Sequence, residues 1–125
     1  MSYLLDTHTL LWCLDNNPKL SPIAKNIIKD SNNTIFISPI NTWEIMLKHS
    51  HGKLKAPDNI EKLISDSGFK QLPINITHTL YLDKLVKHHS DPFDRLLVSQ
   101  AILEELTIIT RDKEIRKYPV LVVQA

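Results

Sequence analysis

Short runs of consecutive apolar residues alternate along this chain with longer stretches in which apolar residues recur every three or four positions. Ser2–Leu5 and Thr34–Ile37 are apolar or β-branched runs and read as buried strands. Between them, 8–14 and 21–30 read as helices, the second opened by Ser21 as a cap and Pro22 in the first turn. Residues 40–49 place Ile40, Trp43 and Leu47 at helical spacing, which predicts one buried face ending at Gly52. A further helix is expected over 58–67, with Ile60, Leu63 and Ile64 inward, closed by Gly68 before a short apolar piece at 72–76. Another is expected over 77–87, with Leu80, Leu82, Leu85 and Val86 as core candidates. Asp91-Pro92 then opens a helix through Leu96, Leu97, Ala101 and Ile102 to about 106. Thr107–Thr110 reads as a strand, 112–118 as a short helical turn, and 120–123 as a final buried strand.

Apolar strands without clean alternation, separated by helices, imply an α/β protein whose parallel sheet is covered on both faces. No repeat, low-complexity tract or linker interrupts the pattern, so 1–125 is read as a single domain. In such sheets ligands collect beyond the carboxyl ends of the strands, where the topology reverses direction. Chemistry is therefore sought at those ends.

Composition narrows the class. Hydrophobic residues are 42% and charged residues 23%, the balance of a globular domain rather than a disordered chain. The one cysteine, Cys13, lies among Leu10, Leu11, Trp12 and Leu14 and reads as a small buried hydrophobe, so the fold must hold without a disulfide. No run approaches the ~20 apolar residues of a membrane span, and no basic region precedes an apolar stretch at the N-terminus. A cytoplasmic protein that does not enter the membrane is the expectation. Net charge is +1, which does not by itself advertise nucleic-acid binding. With four of its 14 acidic residues pooled at one site, however, the remaining ten face 15 basic ones, a surplus able to guide a phosphate backbone.

Four acids stand where pooling is possible. Asp6 ends the first strand, Asp112 lies just past the Thr107–Thr110 strand, Asp94 is in the first turn after Asp91-Pro92, and Glu44 is on the helix after the second strand. Clustered carboxylates raise each other's pKa unless a cation offsets the repulsion. A hard divalent ion with oxygen ligands, Mg²⁺ or Mn²⁺, answers that need, and its usual chemistry with phosphate is phosphodiester hydrolysis. Taken singly each acid has a plainer reading. Asp6 and Asp112 can cap helices, Glu44 can pair with Lys48 four residues on, and Asp94 can simply complement a helix dipole. Their joint placement carries the argument.

In order and spacing these segments resemble the PIN-domain nucleases, most closely the VapC-like toxins of type II toxin–antitoxin pairs. The carriers are Leu4-Leu5-Asp6-Thr7-His8 with Leu10-Leu11-Trp12; Ser38 with Trp43-Glu44-Ile45, Lys48 and Gly52-Lys53-Leu54; Asp91-Pro92-Phe93-Asp94-Arg95 with Gln100-Ala101; and Ile109-Thr110-Arg111-Asp112. By this resemblance Asp6, Glu44, Asp94 and Asp112 match the family's acidic metal-site positions, and Thr110 a supporting hydroxyl. The resemblance implies a three-layer α/β/α fold around a mainly parallel sheet, Mg²⁺- or Mn²⁺-dependent cleavage of RNA, a homodimer, and a cognate antitoxin protein. Two other readings stay open: a catalytically silent PIN-like module that binds RNA or protein, and a nuclease of RNA processing that is not a toxin.

Other residues are weighed on their surroundings. Arg95 and Arg111 flank two of the acids and are candidates for substrate phosphate, for an antitoxin carboxylate, or for structural ion pairs. Lys48, Lys53 and Lys55 suit an RNA path or an ordinary solvated face. His49, His51, His88 and His89 lack the spacing of a zinc site, whereas His8 beside Asp6 suits a supporting role at the site or, more simply, ordinary packing. A phosphoryl-accepting aspartate at Asp6 would want a second aspartate two positions later, where His8 stands. Trp12, Trp43 and Phe93 are assigned to the core or a dimer interface before base stacking.

Overall fold

The computed structural model describes residues 1–125. Five short strands form its centre: β1 (Ser2–Leu5), β2 (Thr34–Ile37), β3 (Lys70–Gln71), β4 (Thr107–Thr110) and β5 (Val122–Gln124). All pair in parallel, in the order β3-β2-β1-β4-β5, with Tyr3 opposite Ile35 and Leu4 opposite Ile108. Successive residues point to opposite faces, so Leu4 and Ile108 pack on one side while Leu5 and Ile109 pack on the other, all at 0% exposure. Burying each such side chain favours the fold by roughly 1.5–3 kcal/mol, which explains why these strands carry no polar face.

Helices cover both faces. The helices α1 (Thr7–Leu14), α2 (Pro22–Lys29) and α4 (Ile60–Asp66) bring Leu10, Ala24 and Ile64 against Tyr3, Leu5 and Ile109. On the other face, α6 (Pro92–Leu103) brings Leu96, Leu97, Val98 and Ala101 against Leu4 and Ile108. The helix α3 (Pro39–Ser50) contributes Ile40 to one core and Ile45 to the other, and α5 (Ile76–Leu80) packs on α6. The result is the three-layer α/β/α architecture that the sequence implied. Caps lie where the sequence placed them: Ser21 accepts from Ala24 N, and Asp91 from Phe93 N and Asp94 N.

Two expectations are corrected. The buried face of α3 is not the Ile40, Trp43, Leu47 stripe, because Trp43 is 59% and Leu47 38% exposed; Ile40, Asn41, Glu44 and Ile45 face inward instead. The expected helix over 77–87 ends at Leu80 and gives way to a 3-10 turn (Tyr81–Lys84), leaving Leu80 and Val86 exposed. Arg95 accounts for this, since its Nη2 donates to the carbonyls of Leu82 and Leu85. The short apolar piece at 72–76 follows β3 and lies outside the sheet. Leu72 N donates the last ladder bond to Ile37 O, Pro73 has no N–H to extend it, and Gln100 Nε2 takes the Leu72 and Pro73 carbonyls.

Candidate active site

The chain passes from β1 to β2 to β3 on one side of β1 and then crosses to β4 on the other. The reversal opens a crevice at the carboxyl ends of β1 and β4, where an open parallel sheet has room for a ligand. Asp6 follows β1 directly and Asp112 lies two residues past β4. A cavity of about 380 Å³ there is lined by Asp6, Glu44, Asp91, Asp94 and Asp112, with Lys48, Arg111 and His89 among them. All four acids expected from the sequence thus reach one cavity.

Each is held differently. Asp6 is 6% exposed and is the N-cap of α1; its Oδ1 accepts from Thr9 N at 2.9 Å and its Oδ2 from the Thr110 hydroxyl. Burial raises its pKa above the ordinary carboxylate value, and those hydroxyl and amide donors oppose the rise. Glu44 is 3% exposed, a consequence of the inward rotation of α3. Its Oε1 accepts from the Thr7 hydroxyl at 2.6 Å and its Oε2 pairs with Lys48 Nζ at 2.7 Å, an interaction that raises the Lys48 ammonium above its usual value. Asn41 Nδ2 donates both to Leu5 O and to the Thr7 hydroxyl, locking α3 to the end of β1.

Asp94 and Asp112 meet at His89, whose Nε2 lies 3.0 Å from Asp94 Oδ2 and 3.1 Å from Asp112 Oδ2. Burial pushes Asp94 up to about 7, reinforced by the charges of Asp91, Asp6 and Glu44 and opposed by His89. Burial would also raise Asp112, but His89 and the amides of Glu114 and Ile115 hold it below the usual range. His89 is raised in turn: burial alone would lower it, and Asp112 and Asp94 outweigh that.

The donor set tests the expected cation directly. Carboxylate oxygens are the ligands that hard divalent ions prefer, and five acidic residues line this cavity against the cations Lys48 and Arg111 and the histidines His8 and His89. The residues fit Mg²⁺ or Mn²⁺. Asp94, Asp112 and His89 place potential ligand atoms within 4.8 Å of one another, while Asp6 and Glu44 line the same cavity from deeper positions.

The supporting residues fall into two groups. Thr110 touches Asp6 and also accepts from Asp112 N at 3.0 Å, so one hydroxyl spans two of the acids. Arg111 lines the cavity, lies 4.6 Å over the Trp12 ring, and donates to the Ala125 and Lys19 carbonyls. Arg95 is not in the lining; its guanidinium holds the 3-10 turn. His8, beside Asp6, lines the cavity. Sequence reasoning missed Thr7, and it considered His89 only as a zinc ligand. A hydroxyl next to Asp6 and a histidine two residues before the Asp91 cap were the available signals. A larger cavity, about 750 Å³, lies between α4, β3 and the start of α3; of its charged residues, Lys62 and Asp66 already pair with each other. It gathers no comparable charge.

Comparisons with known proteins agree with this architecture. The PIN domain family matches residues 3–121. No curated protein sequence gives a significant match. Among solved structures, VapBC2 from Rickettsia felis bound to a promoter DNA fragment superposes with a TM-score of 0.72 at 22% identity, over 98% of both chains. DNA-bound VapBC from Salmonella typhimurium gives 0.72 at 17% identity, over 98% of this chain and 97% of that one. A toxin–antitoxin complex from Klebsiella pneumoniae gives 0.65 at 21% identity, over 98% and 96%. At these identities the likeness concerns the fold.

Proposed function

The chain belongs to the PIN-domain family, and from that premise we propose that it is a metal-dependent endoribonuclease, the toxin of a type II toxin–antitoxin pair. The observation that carries the reading is the convergence of Asp6, Glu44, Asp94 and Asp112 on one cavity at the switch point of the sheet. When bound, Mg²⁺ or Mn²⁺ lowers the pKa of a coordinated water and stabilises charge on a phosphate. Asp6, Glu44, Asp94 and Asp112 would hold it. Thr9 and Thr110 orient the Asp6 carboxylate, and Thr7 with Lys48 orients Glu44. Lys48 and Arg111 supply positive charge at the cavity for the RNA backbone.

The partner assignments follow from the same reading. The similar solved structures are toxin–antitoxin assemblies, which favours a cognate antitoxin protein for this chain and, with it, a cytoplasmic setting. No helix is long and apolar enough to cross a membrane. Trp43, Met46 and Leu47 form an exposed apolar stripe on α3, with Phe93 4.9 Å from Trp43 in an edge-on contact, and this face suits a homodimer. Sedimentation of the purified chain tests that assignment.

Cleavage of a structured RNA panel tests the activity, using wild type and Asp6→Asn with Mg²⁺, with Mn²⁺ and with EDTA. Wild type is expected to cut only with metal, and the folded variant not to cut. Equal cutting by both would sink the assignment. Specific RNA retention without cutting, under every metal condition, would favour the silent binding module instead.

A further inference from the structure

The triad of His89, Asp94 and Asp112 has, by distance alone, the spacing of three metal ligands. The far side of the imidazole decides otherwise. His89 Nδ1 accepts a hydrogen bond from the Asp91 backbone N–H at 3.1 Å. An amide proton is fixed, so in the neutral ring the Nδ1 lone pair is already used and the proton resides on Nε2. A nitrogen that carries its proton has no lone pair to give a metal. It is a donor: its hydrogen bond goes to Asp112 Oδ2 at 3.1 Å, and Asp94 Oδ2 lies 3.0 Å from the same nitrogen as a charge contact.

The segment that carries the ring is also fixed. The Tyr118 hydroxyl accepts from the backbone N–H of both His88 and His89, at 3.1 and 3.0 Å, and the His88 ring lies edge-on to Tyr118 at 5.0 Å. Tyr118 is itself 4% exposed, in the core beneath α6. Arg95 holds the Leu82 and Leu85 carbonyls just upstream, and Asp91 caps α6 just downstream. Backbone and side chain of His89 are therefore set by groups that belong to neither acid.

We infer that His89 is a positioning residue and not a ligand: its Nε2–H, its tautomer set by the Asp91 amide, draws Asp94 and Asp112 together from outside the metal's own ligand set. The inference rests on the reading of these acids as a divalent-metal site. Without the donor, two carboxylates from separate elements, α6 and the segment after β4, face each other with nothing between them.

Three measurements test it. In the metal-free protein, at a pH high enough to leave the ring neutral, the ¹⁵N shifts of His89 should show the tautomer protonated at Nε2; a neutral ring protonated at Nδ1 overturns the inference. With Mn²⁺ bound to wild type, pulsed EPR should show no strongly coupled imidazole ¹⁴N, and a directly bonded nitrogen overturns it. Calorimetric Mn²⁺ titration should find His89→Ala about ten- to a hundredfold weaker, the usual effect of losing an outer-shell partner. His89→Gln, whose amide offers an N–H from a similar position, should stay within about threefold of wild type. Equal loss in both variants, or loss in neither, overturns the positioning role. If wild type binds no Mn²⁺ at all, the metal reading itself has failed and this inference falls with it, a result distinct from failure among the variants alone.

Discussion

Asp6 and Glu44 sit behind threonine hydroxyls, whereas Asp94 and Asp112 sit around an imidazole. The inner pair is 6% and 3% exposed, and its partners stand on β4, α1 and α3 or at their ends. Its geometry follows once the sheet and α3 are docked. The outer pair depends on His89, which lies in the 85–91 connection rather than in a helix or strand. The inner half of the cavity is thus built by the fold alone, while the outer acids, on α6 and just past β4, face a loop tied down at Tyr118 and Arg95. Rigid placement of the inner acids and conditional placement of the outer ones suit a site whose cation arrives after folding.

The comparison breaks most visibly in activity. Asp6→Asn and Asp94→Asn should each lower metal-dependent RNA cleavage by about a thousandfold or more, the scale of removing a principal electrostatic group, measured by initial rates on a labelled RNA. An intact rate in Asp94→Asn alone would show that the inner pair suffices.

Stability against pH separates the halves next. Asp94 keeps its proton to about pH 7 in the folded chain, but an unfolded aspartate releases it near ~4. Between those values the folded state binds more protons, so metal-free stability should fall as pH rises through that window and level off above it. Asp6 is raised as well and adds in the same direction. Thermal melts should therefore show Tm dropping by several degrees, on the order expected for ~1 kcal/mol or more in a domain of this size, with Asp94→Asn flattening the slope. Saturating Mg²⁺ should restore Tm at pH 8, by about 2.7 kcal/mol at a hundred times its Kd.

Smaller effects probe the inner supports. Thr7→Val removes the donor to buried Glu44 Oε1 and should lower stability by about 1–3 kcal/mol in urea titration, the range for an unsatisfied buried polar group. Lys48→Met should change stability by less than about 1 kcal/mol, because Lys48 is 40% exposed in its pair with Glu44. A larger loss would mean that the ammonium, rather than Thr7, holds the glutamate in place.

Much of this was legible in the chain. The short apolar and β-branched runs at Ser2–Leu5 and Thr107–Thr110 announced buried parallel strands, and the acids that follow them fell at the sheet edge by construction. What resisted reading was rotation about a helix axis. On α3 the apolar residues Trp43 and Leu47 point outward and Glu44 inward, since Asn41 and Glu44 find partners in Leu5 O and Thr7 that local spacing does not reveal. The shortened helix after Asn75 failed for a similar reason, because Arg95 claims its carbonyls from 10 to 13 residues away. His89 was hidden by both problems, as its value lies in two acids and an amide that converge only after folding.

The hydrogen bond between Thr110 and Asp6 joins residues 104 apart in sequence. Pairing β1 with β4 closes nearly the whole chain into one loop, a late event in any folding sequence that starts from local contacts. During synthesis the N-terminal strand emerges first, yet the Asp6 carboxylate has no Thr110 hydroxyl to meet until β4 has been made and has paired with β1.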